Sequence, residues 1–338
     1  MVVDITNLNP VQKKSFELIQ ADARFIDTLF TNLQKPKTNF AMMFLPYLGI
    51  FADGTEQWGK KVNLKTPKFS ASEKQHYTAI RNSIKMFDTE FNDLNILLNS
   101  KLTESEDYFL KTRTLMSKLI NFHYNVGCDL NNHSFLGNTI LCSIFAPSYT
   151  CGDPKYGEYI RDASIIAGEL AAAFGCREFP PYEIDNFIPL RYKDYNFFVK
   201  CPLKRKTDKD FSLFSILCNI NYIRIFIDRY IKEDCPSKLR YAYLQYHSLV
   251  KLVPKINESL SQNFSFDTSF ASNSFRNCMA HYGLGVVLKE SDIIENDLMA
   301  GLTNKIFNMP YSKTKKAIFK ELDSLSHQIE SYLFYDMN

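Results

Sequence analysis

Six consecutive residues near the C-terminus, Arg276-Asn277-Cys278-Met279-Ala280-His281, hold the side chains needed to break a phosphodiester. An arginine is charged at any working pH, and its forked donors can hold a phosphate and offset charge that develops on it. A histidine that titrates near neutrality can give or take the proton at an in-line oxygen. RNA carries its own nucleophile, the 2′-OH, so this chemistry needs neither metal-bound water nor a cofactor. Asn277 and His281 are four residues apart and share one helical face, while Arg276 is long enough to reach the same volume. The Asn277 amide would orient the histidine or the phosphate. Ser272 or Ser274 can cap the helix, whose first free N–H groups favour a bound anion.

The pattern Arg276-Asn277-x-x-x-His281 resembles the signature of the HEPN superfamily: an Arg, four to six residues, then His, with Asn, Asp or His favoured directly after the Arg. The resemblance covers about the last third of the chain. It implies a compact helical bundle in which two copies of the motif meet across a dimer and cut RNA without metal. The products would be a 2′,3′-cyclic phosphate and a 5′-OH. It places Arg276, Asn277 and His281 in catalytic roles, in a toxin or phage-defence setting with an antitoxin or defence-system partner. It also leaves open a non-catalytic HEPN-like module for RNA binding, dimerisation or adaptor work. Toxins of this kind that pair with a nucleotidyltransferase commonly carry a tyrosine two residues after the histidine. Here Tyr282 follows His281 directly and Gly283 stands in that place, so Tyr282 is assigned instead to stacking on a base.

Arg240 and His247 satisfy a looser form of the pattern, two helical turns apart on one face, without the polar residue after Arg. With one full motif per chain, a homodimer is expected to build the composite site. The basic run Lys204-Arg205-Lys206 is a candidate track for an RNA backbone, and a solvated linker is the competing reading. His123, Cys128 and His133 lack the close ligand pairs of a metal site, so no metal is expected. Cys278 reads as a small packing residue within the motif.

The elements that must position these residues read as helices. Twelve Gly and 13 Pro in 338 residues argue against a turn-rich β sandwich. Apolar periodicity predicts helices over 10–34, 72–100, 103–126, 138–146, 155–175, 211–232, 237–257, 268–283, 291–308 and 312–335. Irregular stretches at 35–71, with room for a short hairpin, around 127–137 and at 176–210 separate them. The expected fold is all-α: an N-terminal helical region of unknown role (1–205), followed by a HEPN-like bundle (206–338).

Forty basic and 37 acidic residues leave a net charge of +3, which neither supports nor excludes nucleic acid. Eight cysteines without a CxxC pair, and a start lacking a basic-then-apolar pattern, predict reduced thiols in a cytoplasmic protein. Phe40–Ala52 is broken by Pro46, and Phe211–Ile227 is interrupted by Asn219, Asn221 and Arg224, so no membrane association is expected.

Overall fold

The computed structural model describes residues 3–33, 39–120, 122–146, 150, 152–185, 190–282, 287–295 and 297–335. Helices dominate. In chain order they are α1 (Pro10–Leu33), α2 (Leu45–Lys61), α3 (Ala71–Ser83), α4 (Phe91–Thr112), α5 (Leu115–Leu119), α6 (Thr139–Phe145) and α7 (Tyr156–Ala173). There follow α8 (Asp208–Asn221), α9 (Pro236–Leu260), α10 (Asn273–His281), α11 (Leu298–Phe307) and α12 (Tyr311–Leu333). In the C-terminal half α12 packs on both α8 and α9, and α4 leans on α8. The α2–α3 pair packs on α7, and α2 also supports α10.

Within the stretch 35–71, where a hairpin had room, the described residues Leu45–Lys61 form α2. Pro46 sits in the first turn, where its missing N–H has no intrahelical partner to lose. The glycines mark close approaches: a Cβ on Gly49 would fall 2.5 Å from the Arg81 backbone nitrogen, and one on Gly54 would fall 2.8 Å from the Tyr282 ring. Residues that looked like helix breakers therefore let α3 and Tyr282 lie directly on α2. The break in the next long stretch is also displaced. Helix α3, held by a Ser70–Glu73 capping box, ends at Ser83, and a 3₁₀ turn (Ile84–Asp88) leads to α4. The acidic run Thr103–Glu106, which resembles a helix start, lies inside α4 because the buried stripe of Leu94, Leu98 and Leu102 continues to Ser105, whose hydroxyl donates to the Asn125 carbonyl at 2.9 Å.

A small three-stranded sheet accompanies the mostly helical fold. β1 (Val126–Asn131) pairs antiparallel with β2 (Ser134–Asn138) through a two-residue turn in which Asn132 has φ 54°. β1 also pairs antiparallel with β3 (Leu190–Tyr195), giving the order β2-β1-β3. Most of β1 is buried, polar Asp129 and Asn131 included, so the alternation that betrays a half-exposed strand is missing from the sequence.

Helix α8 continues as a π-helical segment, Tyr222–Tyr230. By length and hydropathy the span Asp208–Tyr230 could cross a membrane, but its most apolar window is wholly buried inside the fold. Its polar groups are paired there: Asn219 donates to Gln245 at 2.6 Å and Arg224 bonds Asp323 at 2.5 Å. One hydrophobic core gathers buried residues from Val3 to Phe334.

Candidate active site

Helix α10 is short and amphipathic. The Ser272 hydroxyl caps it by accepting from the Phe275 N–H at 3.2 Å, and Tyr282, with φ 51°, turns the chain away after His281. Phe275, Cys278, Met279 and Ala280 are buried against α2 and α9, which leaves Asn277 exposed and Arg276 and His281 partly covered. The packing of the apolar face thus decides that the motif's polar face looks outward.

His281 meets a residue 200 positions away. One terminal nitrogen of Arg81, on α3, lies 3.1 Å from Nδ1 and 3.0 Å from Nε2 of the imidazole. A guanidinium has donors only, so this contact requires an unprotonated ring nitrogen. Arg81 is in turn ion-paired with Asp53 of α2, whose Oδ2 also accepts from Gln57 at 2.8 Å. Burial, followed by the positive charge of Arg81, pushes the His281 pKa down to about 4, with Arg276 and Lys61 adding in the same direction and Asp53 opposing. His281 is therefore neutral at pH 7.

Arg276 does not bond His281; it acts on it through charge. Its guanidinium reaches Asn277 Oδ1 at 3.4 Å and Asp88 Oδ2 at 3.5 Å. The other oxygen of Asp88 accepts from the Ser248 hydroxyl. Asn277 consequently steadies the arginine rather than the histidine. Arg81, Lys85, Asp88, Ser248 and Arg276 edge one recess of about 30 Å³, floored by Ile50, Leu244 and Ala280. That volume suits about one water molecule, so any nucleotide would lie across the opening rather than inside it.

The remaining candidates are placed elsewhere. Tyr282 is buried, donates its hydroxyl to Asp22, and lies under the Arg240 guanidinium at 3.7 Å, so its ring is not presented to a base. Arg240 is itself buried on Asp22, and His247 bonds Asn273 Oδ1 at 3.1 Å. Lys204, Arg205 and Lys206 are exposed but anchored near the end of α12. Lys204 Nζ donates to the Ser331 carbonyl at 2.9 Å, Arg205 covers the Tyr332 ring at 4.2 Å, and Lys206 Nζ donates to the Val199 carbonyl at 2.7 Å. These contacts lie on different elements from those that frame His281. Cys278 is buried, and burial pushes its thiol up to about 11, which suits packing and not nucleophilic attack. His123 bonds Glu106 at 3.0 Å, and among the described residues no group of three or more His, Cys, Asp or Glu side chains could hold a metal.

Sequence reasoning missed Arg81 and Asp53. No local pattern marks either; only the α2–α3 crossing at Gly49 brings them to α10. Comparison of the chain with protein-family models, with curated proteins and with solved structures finds no match.

Proposed function

We propose that this protein is a metal-independent endoribonuclease of the kind the Arg276–His281 pattern resembles. The observation that carries the reading is a neutral imidazole at the end of a helix that also carries an arginine held only by long contacts to Asn277 and a partly exposed carboxylate. Neutral His281 acts as general base once the approaching 2′-OH displaces Arg81 from the imidazole lone pair, taking the proton from that hydroxyl as it attacks the adjacent phosphorus. The P–O5′ bond breaks, a 2′,3′-cyclic phosphate forms, and the departing 5′ oxygen takes a proton from solvent. Arg276 exchanges Asp88 for the phosphate oxygens and stabilises their charge, a role in which its fork matters as much as its charge. Asn277 holds that fork through its amide oxygen.

The resemblance implies a composite cleft from two copies, each bringing one Arg276 and one His281. A role in phage defence or as a toxin, with an antitoxin or other defence-system partner, rests on the resemblance alone. The test is cleavage of RNA in EDTA, with analysis of the ends and of the oligomeric state. Cyclic-phosphate ends made by a dimer support the proposal, and cleavage that vanishes with EDTA refutes it.

A second reading is a non-catalytic RNA-binding or adaptor module. It draws on the same contacts, since both Arg276 and His281 are engaged by protein side chains. RNA retained by an intact dimer without cleavage would establish it.

A further inference from the structure

We infer that Arg81, anchored by Asp53, is a positioning residue of the His281 site, so that the N-terminal half of the chain completes the chemistry of the C-terminal motif. The inference rests on the endoribonuclease reading for its consequence, but its geometry stands independently.

Several observations converge on it. The Arg81 nitrogen that approaches His281 is within 3.1 Å of both ring nitrogens, so it fixes the ring's place and offers a donor to whichever nitrogen is unprotonated. The other terminal nitrogen is committed to Asp53, which stops the guanidinium from swinging away. Both side chains are largely shielded, at 12% and 9% exposure, so water competes weakly for either contact. Bare backbone at Gly49 sets the α2–α3 spacing, because any side chain there would push on the Arg81 main chain. The other charges facing His281 are Lys61 at the end of α2 and Arg276 on α10; Arg240 of α9 is turned into its own pair with Asp22. Arg81 is thus the cation in direct contact with the ring, and Asp53 the carboxylate that offsets it.

The chemical consequence is a division of labour between two arginines. Arg276 is held by two long contacts, to Asp88 and Asn277, and can turn to a phosphate; Arg81 holds the imidazole neutral and in place, and yields its lone pair when the ring accepts a proton. Lys85, one turn after Arg81 on the rim of the same recess, places a further positive charge where an approaching phosphodiester would lie.

The test is to follow the His281 ring signals by NMR through a pH titration of the full chain, and to measure the pH profile of RNA cleavage on the same samples. Arg81→Gln is expected to raise the midpoint of the His281 titration and to shift the acid limb of the cleavage profile upward with it. Arg81→Lys, which keeps the charge but loses the fork, should leave the midpoint nearer to that of the unaltered protein. Because Arg81→Gln leaves Asp53 without its cation, the double variant Asp53→Asn/Arg81→Gln guards against misfolding and should also show a raised midpoint. An unchanged midpoint in folded Arg81→Gln or in the double variant overturns the inference. A raised midpoint in a protein that never cleaves RNA sustains the role of Arg81 and refutes the nuclease reading instead.

Discussion

Arg240 and His247 on α9 and Arg276 and His281 on α10 pair the same residue types at similar spacing, on helices that touch. Their surroundings differ. Arg240 is 5% exposed and its partner Asp22 3%; the same carboxylate also accepts from Ser237 and from Tyr282, whose ring lies under the guanidinium. Arg276 is 25% exposed, and its one carboxylate partner, Asp88, is 30% exposed at 3.5 Å. Arg240 cannot turn toward a ligand without abandoning a buried carboxylate, which is costly in a low-dielectric interior. Arg276 gives up a solvated contact worth at most about 1 kcal/mol. Burial, more than residue type or spacing, separates an arginine that builds the fold from one that can serve a substrate.

Breaking the buried pair should have the largest effect on stability. Arg240→Ala is expected to lose about 3–5 kcal/mol, because it strands Asp22 without its cation. Denaturant unfolding reads this directly, and a loss under 1 kcal/mol would erase the contrast between the two arginines. Arg276→Ala should unfold within about 1 kcal/mol of the unaltered protein while cleaving RNA about 10²–10³-fold more slowly. Arg276→Lys should recover little of that rate, since the phosphate contact needs the fork.

Acid acts on both sites, because burial lowers the pKa of His247 as well as that of His281. The folded-state pKa of His281, about 4, lies below the ordinary histidine value near 6.5, so between those limits the unfolded chain binds the extra proton. Its contribution to stability is complete above about pH 6.5 and is lost as the pH falls toward 4. Unfolding free energies measured across that window should therefore decline with acid, and His281→Ala should flatten the decline. His247→Ala sits at the bottom of the scale. It removes one hydrogen bond to Asn273, so a loss of about 1 kcal/mol with unchanged cleavage is expected.

Much of this organisation is legible in the residues. The helices carrying Phe16, Ile19 and Phe25, or Ile318, Leu322 and Ile329, announce themselves by periodicity because each buries one stripe. The local arrangement of Arg276, Asn277 and His281 follows from their spacing on α10. What stays hidden depends on partners distant in the chain. Gly49 and Gly54 signal breaks until α3 and Tyr282 are seen lying on them. β1 reads as a loop because most of it is covered. Tyr282, adjacent to the motif, looks available for a base, yet the left-handed turn after His281 drives it into the Asp22–Arg240 pair. Arg81 and Asp53 carry no signal, because nothing local to α2 or α3 records that α10 will pack there.

The central claim is that His281, in its neutral form, takes the proton from an RNA 2′-OH. The most direct test compares cleavage of one RNA oligonucleotide, and of its counterpart with a 2′-deoxy residue at the cut site, by the unaltered protein and by His281→Ala in EDTA. The account predicts cleavage of the RNA alone, slowed by about 10²–10⁴-fold in His281→Ala. Equal cleavage by His281→Ala, or a cut at the 2′-deoxy position, would contradict it.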